Sequence, residues 1–259
     1  MYDISITDAI VLGIVQGFTE WLPISSSGHL VIAQSLLGIS VPAAFDIVIM
    51  AGTIAALILY FRQRLFLLAR GMYTGDRTAL RYCSFIVIAG IGTALVGFLG
   101  KSFFKGLFYQ PFIVSCLLIV TGIFLFIASR AKSPAAEMTT GKAFVIGIAQ
   151  GIAVAPGISR SGSTIGAALI FGIKAEDAAV FSFLIGIPAM TIASLVTFLE
   201  EPSVTVTSLP LAVATVTAFI TGYASIELLM RLLKENRFIF FAYYCIGVGL
   251  LFAVLTYHP

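Results

Sequence analysis

The chain has 259 residues, of which 59% are hydrophobic and only 10% charged, with a formal net charge of +3; its mean hydropathy is +1.07. A water-soluble domain carries about 25% charged residues, so a soluble globule is excluded, and the cations sit between apolar runs rather than in a patch, which argues against nucleic acid as a partner. What remains is an all-α polytopic membrane protein, embedded among membrane lipids.

The N-terminus carries no basic leader and no small-residue cleavage site, so the first apolar stretch is expected to be retained. That stretch, 5–38, does not read as an ordinary span: two apolar arms of about 15 residues flank a Pro/Ser/Gly cluster. At 1.5 Å per residue such an arm reaches about 22 Å, short of the ~30 Å hydrocarbon core. A full span is predicted at 43–61, followed by a cationic segment, 62–82, holding Arg62, Arg64, Arg70, Arg77 and Arg81. Spans follow at 83–100 and 110–128, then a second broken region at 141–171, then spans at 175–198, 208–229 and 239–257. Non-helical backbone at membrane depth survives only where protein or a watery cavity satisfies it. The two broken regions are therefore predicted as re-entrant helical hairpins that meet near the membrane middle. Cys83, Cys116 and Cys245 each fall in apolar sequence and read as small buried hydrophobes.

Topology follows from the cations. Arg130 and Lys132 form a second basic loop, and Arg231, Lys234 and Arg237 a third, whereas the alternate loops hold Lys101 and Lys105, or Glu200 and Glu201. The positive-inside rule puts the first set in the cytoplasm and both termini outside. A single membrane domain then divides at about 1–132 and 135–259, each half a hairpin plus three spans. Three is odd, so the halves form an inverted-topology repeat, an arrangement that binds ligands at the repeat interface.

The repeat is visible in the residues. At an offset of 134, Ala9, Gly13, Ile14, Gln16, Gly17, Ile24, Ser25, Ser27 and Gly28 meet Ala143, Gly147, Ile148, Gln150, Gly151, Ile158, Ser159, Ser161 and Gly162. Thr53-Ile54-Ala55 and Thr191-Ile192-Ala193 extend the echo. The differences divide the chemistry: Glu20 faces Val154, Ser26 faces Arg160, and His29 faces Ser163.

Gln16 and Glu20, four apart, share a helix face, and a carboxylate within a membrane segment is costly and usually functional or paired. With a phosphate opposite it, Glu20 can hold a divalent cation through hard oxygen ligands, Gln16 adding a carbonyl oxygen. The runs Ser25-Ser26-Ser27-Gly28 and Ser159-Arg160-Ser161-Gly162 look like N-caps opening the second arm of each hairpin, where free N–H groups favour anions. Small-residue packing explains the serines equally well; Arg160 tips the balance, since a guanidinium at that depth needs an anion and can clamp phosphate. His29, three residues after Ser26, is placed for acid–base work. Asp46, Glu176 and Asp177 open predicted helices and suit the helix dipole. His258 is assigned nothing.

The segment Gln16–His29 resembles the (E/Q)xxxE-to-SSxGH region of the undecaprenyl-diphosphate phosphatase, or bacitracin-resistance, family, and Pro156–Thr164 resembles that family's PGxSRSxxT motif. Length, motif order and spacing agree, so the resemblance covers essentially the whole chain. It implies an enzyme of the plasma membrane that removes the terminal phosphate of a polyprenyl diphosphate, in a site opening to the extracytoplasmic side, with a homodimer as an open expectation. By position, Glu20 is a metal ligand or acid–base group and Ser26 and His29 belong to the catalytic cluster. Arg160 is the phosphate clamp, and Ser25, Ser27, Gly28, Ser159, Ser161 and Thr164 contact phosphate. A divalent cation, magnesium or calcium, is expected on Glu20 and Gln16, although Gln16 stands where the motif also allows an acid. The acid-phosphatase-like lipid phosphatases are excluded, because their SRxxxxxH pattern requires histidine where Gly166 stands. Ser26 is read as nucleophile with His29 as proton partner; attack by water, or by His29 itself, uses the same residues. A lipid-phosphate transporter is the alternative function, disfavoured because translocation needs a clamp but no nucleophile.

Overall fold

A computed structural model of the chain describes residues 4–108, 110–131, 135–200 and 208–256. Lys132, Glu201 and His258 lie outside the described residues. Among the described residues the chain is helical throughout: α1 (Ile6–Trp21), α2 (Ser26–Leu37), α3 (Ala43–Tyr60), α4 (Arg62–Thr74), α5 (Arg77–Leu107), α6 (Pro111–Ser129), α7 (Thr140–Ile152), α8 (Arg160–Ile170), α9 (Ala175–Glu200), α10 (Ser208–Lys234) and α11 (Ile239–Thr256). The six predicted spans fall on α3, α5, α6, α9, α10 and α11, and the two broken regions on the pairs α1–α2 and α7–α8. Helices α5, α6, α9, α10 and α11 are each long and apolar enough to cross a membrane, and α3 with α4 makes a pair bent by 71°. The hairpin arms, at 16, 12, 13 and 11 residues, are all shorter.

The segment 62–82 departs from the expected loop. It folds as α4 and the first turns of α5, separated where Gly75 adopts φ 73° and Asp76 caps α5 by accepting from the amides of Thr78 and Ala79. Phe66 and Leu67 of α4 are 66% and 59% exposed beside Arg62, Arg64 and Arg70. A basic helix with an exposed apolar face suits the membrane–water interface; the arginines had read as loop because charge hides the helical apolar spacing.

Local chemistry sets the hairpins. Ser5 and Asp8 form a reciprocal capping box at the start of α1, and Pro23 lacks the N–H that would continue it. Thr139 caps α7 and Ser159 caps α8, each accepting an amide with its side chain. The first arm of each hairpin lies on a full span through closely spaced glycines. Gly13 and Gly17 of α1 meet α10, where Thr221 and Ser225 donate to their carbonyls at 3.3 and 2.9 Å. Gly147 and Gly151 of α7 meet α5, where Thr93 donates to the Gly147 carbonyl at 3.0 Å. Small residues admit such close approach in membrane helix pairs. Helix α10 also packs on α3, α5 on α9, and α6 on α11, so the partners in one half correspond to those in the other. Trp21, Phe181, Phe183, Leu118, Leu125 and Ile165 form a buried core around the two hairpin turns. Asp46 lies in the first turn of α3, and Glu176 and Asp177 in that of α9.

Candidate active site

The two hairpin turns touch. Ser161 Oγ, on α8, donates to the Leu22 carbonyl of the first turn at 3.0 Å, and a Cβ placed on Gly28 would lie 3.5 Å from the Cα of Gly157. Gly157 adopts φ 92° there, a conformation that favours glycine. Segments far apart in sequence, 139 residues in the case of Leu22 and Ser161, are thereby brought to one locus.

Its centre is the Glu20 carboxylate at the end of α1. Oε2 accepts from Ser26 Oγ at 2.6 Å and from Gln16 Nε2 at 3.0 Å. Oε1 accepts from Arg160 Nη2 at 2.7 Å, across a gap of 140 residues. The pair is well buried, its side chains only 14% and 8% exposed; removing one partner of such a pair typically costs 3–5 kcal/mol, because the other charge is stranded. Arg160 is further held by Met190 Sδ at 2.9 Å and by the face of Trp21, 4.8 Å from its Cζ. Its Nη1 is buried and donates to no described residue. A donor left orphaned beside a carboxylate-bound guanidinium is suited to an incoming anion.

Ser26, Ser27 and His29 are half-buried at the first turn of α2, and of the three Ser26 is the one that reaches Glu20. No hydrogen bond joins Ser26 to His29. His29 Nδ1 instead lies 2.8 Å from the Ser25 carbonyl and Nε2 lies 2.9 Å from the Tyr244 hydroxyl of α11. The proton partner that the geometry offers Ser26 is thus Glu20. Ser25, which caps α2 by accepting the Gly28 amide, sits at φ 67°, ψ 95°. Such a conformation in a non-glycine residue costs on the order of 1–3 kcal/mol and tends to mark functional turns. Its counterpart Ser159 is unstrained at φ −75°.

The remaining hydroxyls expected on phosphate are engaged within the protein. Ser159 Oγ accepts the Gly162 amide at 3.0 Å, Ser161 holds Leu22, and Thr164 Oγ1 donates to the Arg160 carbonyl at 2.9 Å while paired with Ser182 Oγ. At 1%, 1% and 0% exposure they stand behind Arg160 rather than beside an open cavity.

A divalent cation does not fit Glu20 in this arrangement. Both carboxylate oxygens accept from N–H or O–H donors, Gln16 turns its NH₂ and not its carbonyl toward them, and Arg160 already balances the charge. Among the described residues no group of three His, Cys, Asp or Glu side chains lies together. A magnesium or calcium ion here would be held mainly by the diphosphate's own oxygens.

Three neighbours escaped the sequence reading. Met190 and Gly186 carry no chemical signature, yet one supports the guanidinium and the other makes room for it, since a Cβ at 186 would lie closer than 3.0 Å to Nη1. Tyr244, more than 200 residues from His29, offers no local signal at all. Trp21 lies inside the first motif, but its place under the guanidinium is set by packing.

A bundle of membrane helices whose two short hairpins join a carboxylate, a serine and a guanidinium defines an integral-membrane protein with a site for a phosphate-type anion. Residues 9–251 match the family described as bacitracin resistance protein BacA. Undecaprenyl-diphosphatases of Syntrophotalea carbinolica, Methanosphaera stadtmanae and Korarchaeum cryptofilum are 41%, 36% and 35% identical to this chain. The alignments cover 97%, 98% and 95% of this chain and 99%, 99% and 97% of those relatives. The chain belongs to the BacA family.

Proposed function

We infer that this chain is an integral-membrane phosphatase of the cell membrane. It removes the terminal phosphate of an undecaprenyl-type polyprenyl diphosphate, giving the monophosphate and inorganic phosphate and so recycling the glycan carrier. The observation that carries the chemistry is the continuous set Ser26–Glu20–Arg160, a hydroxyl on a carboxylate that is itself held by a guanidinium. This is the order of nucleophile, base and orienting group expected of covalent catalysis.

Ser26 Oγ attacks the terminal phosphorus as its proton passes to Glu20 Oε2. The bond from that phosphorus to the bridging oxygen breaks, and the polyprenyl monophosphate leaves. The leaving monophosphate takes that proton from Glu20, and the carboxylate so restored accepts a proton from the water that attacks the phosphoserine; this second proton returns to Ser26 Oγ as its bond to phosphorus breaks and inorganic phosphate departs. Arg160 Nη1 and the unshared amides at the start of α2 and α8 stabilise charge on the phosphoryl oxygens; such preorganised donors supply most of the rate in phosphoryl transfer. Gly28 and Ser27 form the near wall, and Ser25, Ser159, Ser161 and Thr164 hold the two helix starts in place. The prenyl tail lies among the apolar helices. The cation pattern and the matching helix partners support an inverted repeat with both termini outside and the site open to the extracytoplasmic side. Nothing in the site favours the transporter alternative.

The test is phosphate release from undecaprenyl diphosphate by the purified protein in detergent, where no second compartment exists. Rapid quenching with terminally labelled substrate should leave label on Ser26. Label on His29 would move the nucleophile there, and full activity in Ser26→Ala would remove the serine from the mechanism.

A further inference from the structure

His29 has one ring nitrogen committed. A carbonyl oxygen has no proton to give, so the 2.8 Å contact with Ser25 requires Nδ1 to carry a hydrogen and donate it. Nε2 is then the only atom at which this imidazole gains or loses a proton, and Nε2 meets the hydroxyl of Tyr244 at 2.9 Å. The two ring planes are inclined by only 12°, with centroids 5.6 Å apart, so the rings stack as well as bond.

Tyr244 is held there by its own helix. The next residue, Cys245, is fully buried and directs its sulfur at the Pro23 carbonyl of the first hairpin turn, 3.5 Å away, while Phe241 and Gly249 seat α11 against its neighbours. Helix α11 belongs to the second half of the chain, so both halves supply groups to the first hairpin: α8 sends Arg160 to Glu20, and α11 sends Tyr244 to His29. The bland explanation is that Tyr244 is an interfacial aromatic, a role in which tyrosine is common. The adjacent Tyr243 fits that description, 55% exposed with its ring beside that of Phe126. The hydroxyl of Tyr244 differs in having a defined partner.

We propose that Tyr244 is a positioning residue of the phosphatase site, one that holds the His29 ring in both its neutral and its charged state. A hydroxyl can do both without moving. It donates to Nε2 while the imidazole is neutral and accepts from Nε2–H once the imidazole is charged, so His29 changes state with its ring held. Together the Ser25 carbonyl and the Tyr244 hydroxyl fix tautomer and orientation, the two properties that an acid–base histidine needs from its surroundings.

The proposal rests on the phosphatase reading above, and the experiment separates the two. Wild-type protein that releases no phosphate from undecaprenyl diphosphate overturns that reading and this one with it. Given an active wild type, Tyr244→Phe keeps the ring and removes one hydroxyl, so kcat should fall about tenfold, the worth of one hydrogen bond, with KM within twofold. Tyr243→Phe should match wild type. The decisive arm is Tyr244→Phe on a His29→Ala background. If the hydroxyl acts through His29, the double variant should be no slower than His29→Ala alone. A further tenfold loss in the double variant, or an unchanged kcat in Tyr244→Phe, would overturn the inference.

Discussion

Gly186→Ala offers a test of the site that alters no polar group. The added methyl would lie closer than 3.0 Å to Arg160 Nη1, against an ordinary contact of 3.4 Å or more. Because that atom ends a flexible side chain, the helix need not move and the guanidinium yields instead, by roughly 1 Å. Alanine is also the better helix former, by about 1 kcal/mol over glycine, so thermal stability should hold or rise slightly. Activity should not. A misplacement of about 1 Å in a group that positions the reacting phosphoryl can cost on the order of 100-fold in rate, equivalent to about 2.7 kcal/mol of barrier. Phosphate release by the purified variant measures the rate, and a melting curve in the same detergent measures stability. On an Arg160→Ala background the added methyl has nothing to displace, so it should cost no further activity. A Gly186→Ala enzyme within threefold of wild type would show that Arg160 tolerates displacement, and the clamp assignment would fall.

Arg160→Lys should lose nearly as much activity as Arg160→Ala, about 30- to 1000-fold, corresponding to 2–4 kcal/mol of transition-state stabilisation; a Lys variant with near-normal turnover would reduce Arg160 to general attraction. Glu20→Gln should abolish turnover and also lower the melting temperature, since it strands a buried guanidinium at a typical cost of 3–5 kcal/mol; a fully stable variant would deny that the pair holds the hairpins together. Ser26→Ala should abolish turnover while leaving substrate binding largely intact, whereas Ser25→Ala and Ser27→Ala should each cost only about 0.5–3 kcal/mol; comparable kcat losses in all three would refute a single serine nucleophile. Cysteines at positions 64 and 101 on a cysteine-free background should react with an impermeant maleimide from opposite sides of the membrane, and labelling from one side would break the assigned topology.

Much of this architecture is written in local signals. Five of the six predicted spans are legible because apolar length alone separates them from loops, the sixth falling on α3 of the bent pair α3–α4, and the hairpins because Pro23 and Pro156-Gly157 interrupt arms too short to span. Glu20, Ser26 and Arg160 stand out because charge and clustered hydroxyls are conspicuous at that depth. What the residues hide is set by packing. Helix α4 was masked by its arginines, whose charge suggested solvent although Phe66 and Leu67 give it an apolar face. The pairing of Ser26 with Glu20 rather than His29 could not be read from spacing: positions 26 and 29 share a helix face, but the imidazole turns away to Tyr244 on a helix more than 200 residues distant. Ser161 and Thr164 look from sequence like ligands of phosphate, and only their burial shows that the fold already uses them.

The arginine explains why a duplicated segment came to divide its chemistry. At the matching position each copy opens a short helix, one with Ser26 and the other with Arg160, and both side chains converge on Glu20. The fork of the guanidinium is split: Nη2 is tied to Glu20 and the thioether of Met190, whereas Nη1 is orphaned in a buried setting. Phosphate can therefore take Nη1 while Nη2 keeps the carboxylate aimed at Ser26. On the proposed mechanism one group would bridge base and substrate, and binding would not require the buried ion pair to break. An ammonium gathers its donors at a single atom, so a lysine could not hold carboxylate and phosphate on two separate nitrogens in fixed geometry. Two identical copies, each with both charges, would pair within themselves and leave no such bridge; it requires the acid on one hairpin and the guanidinium on the other.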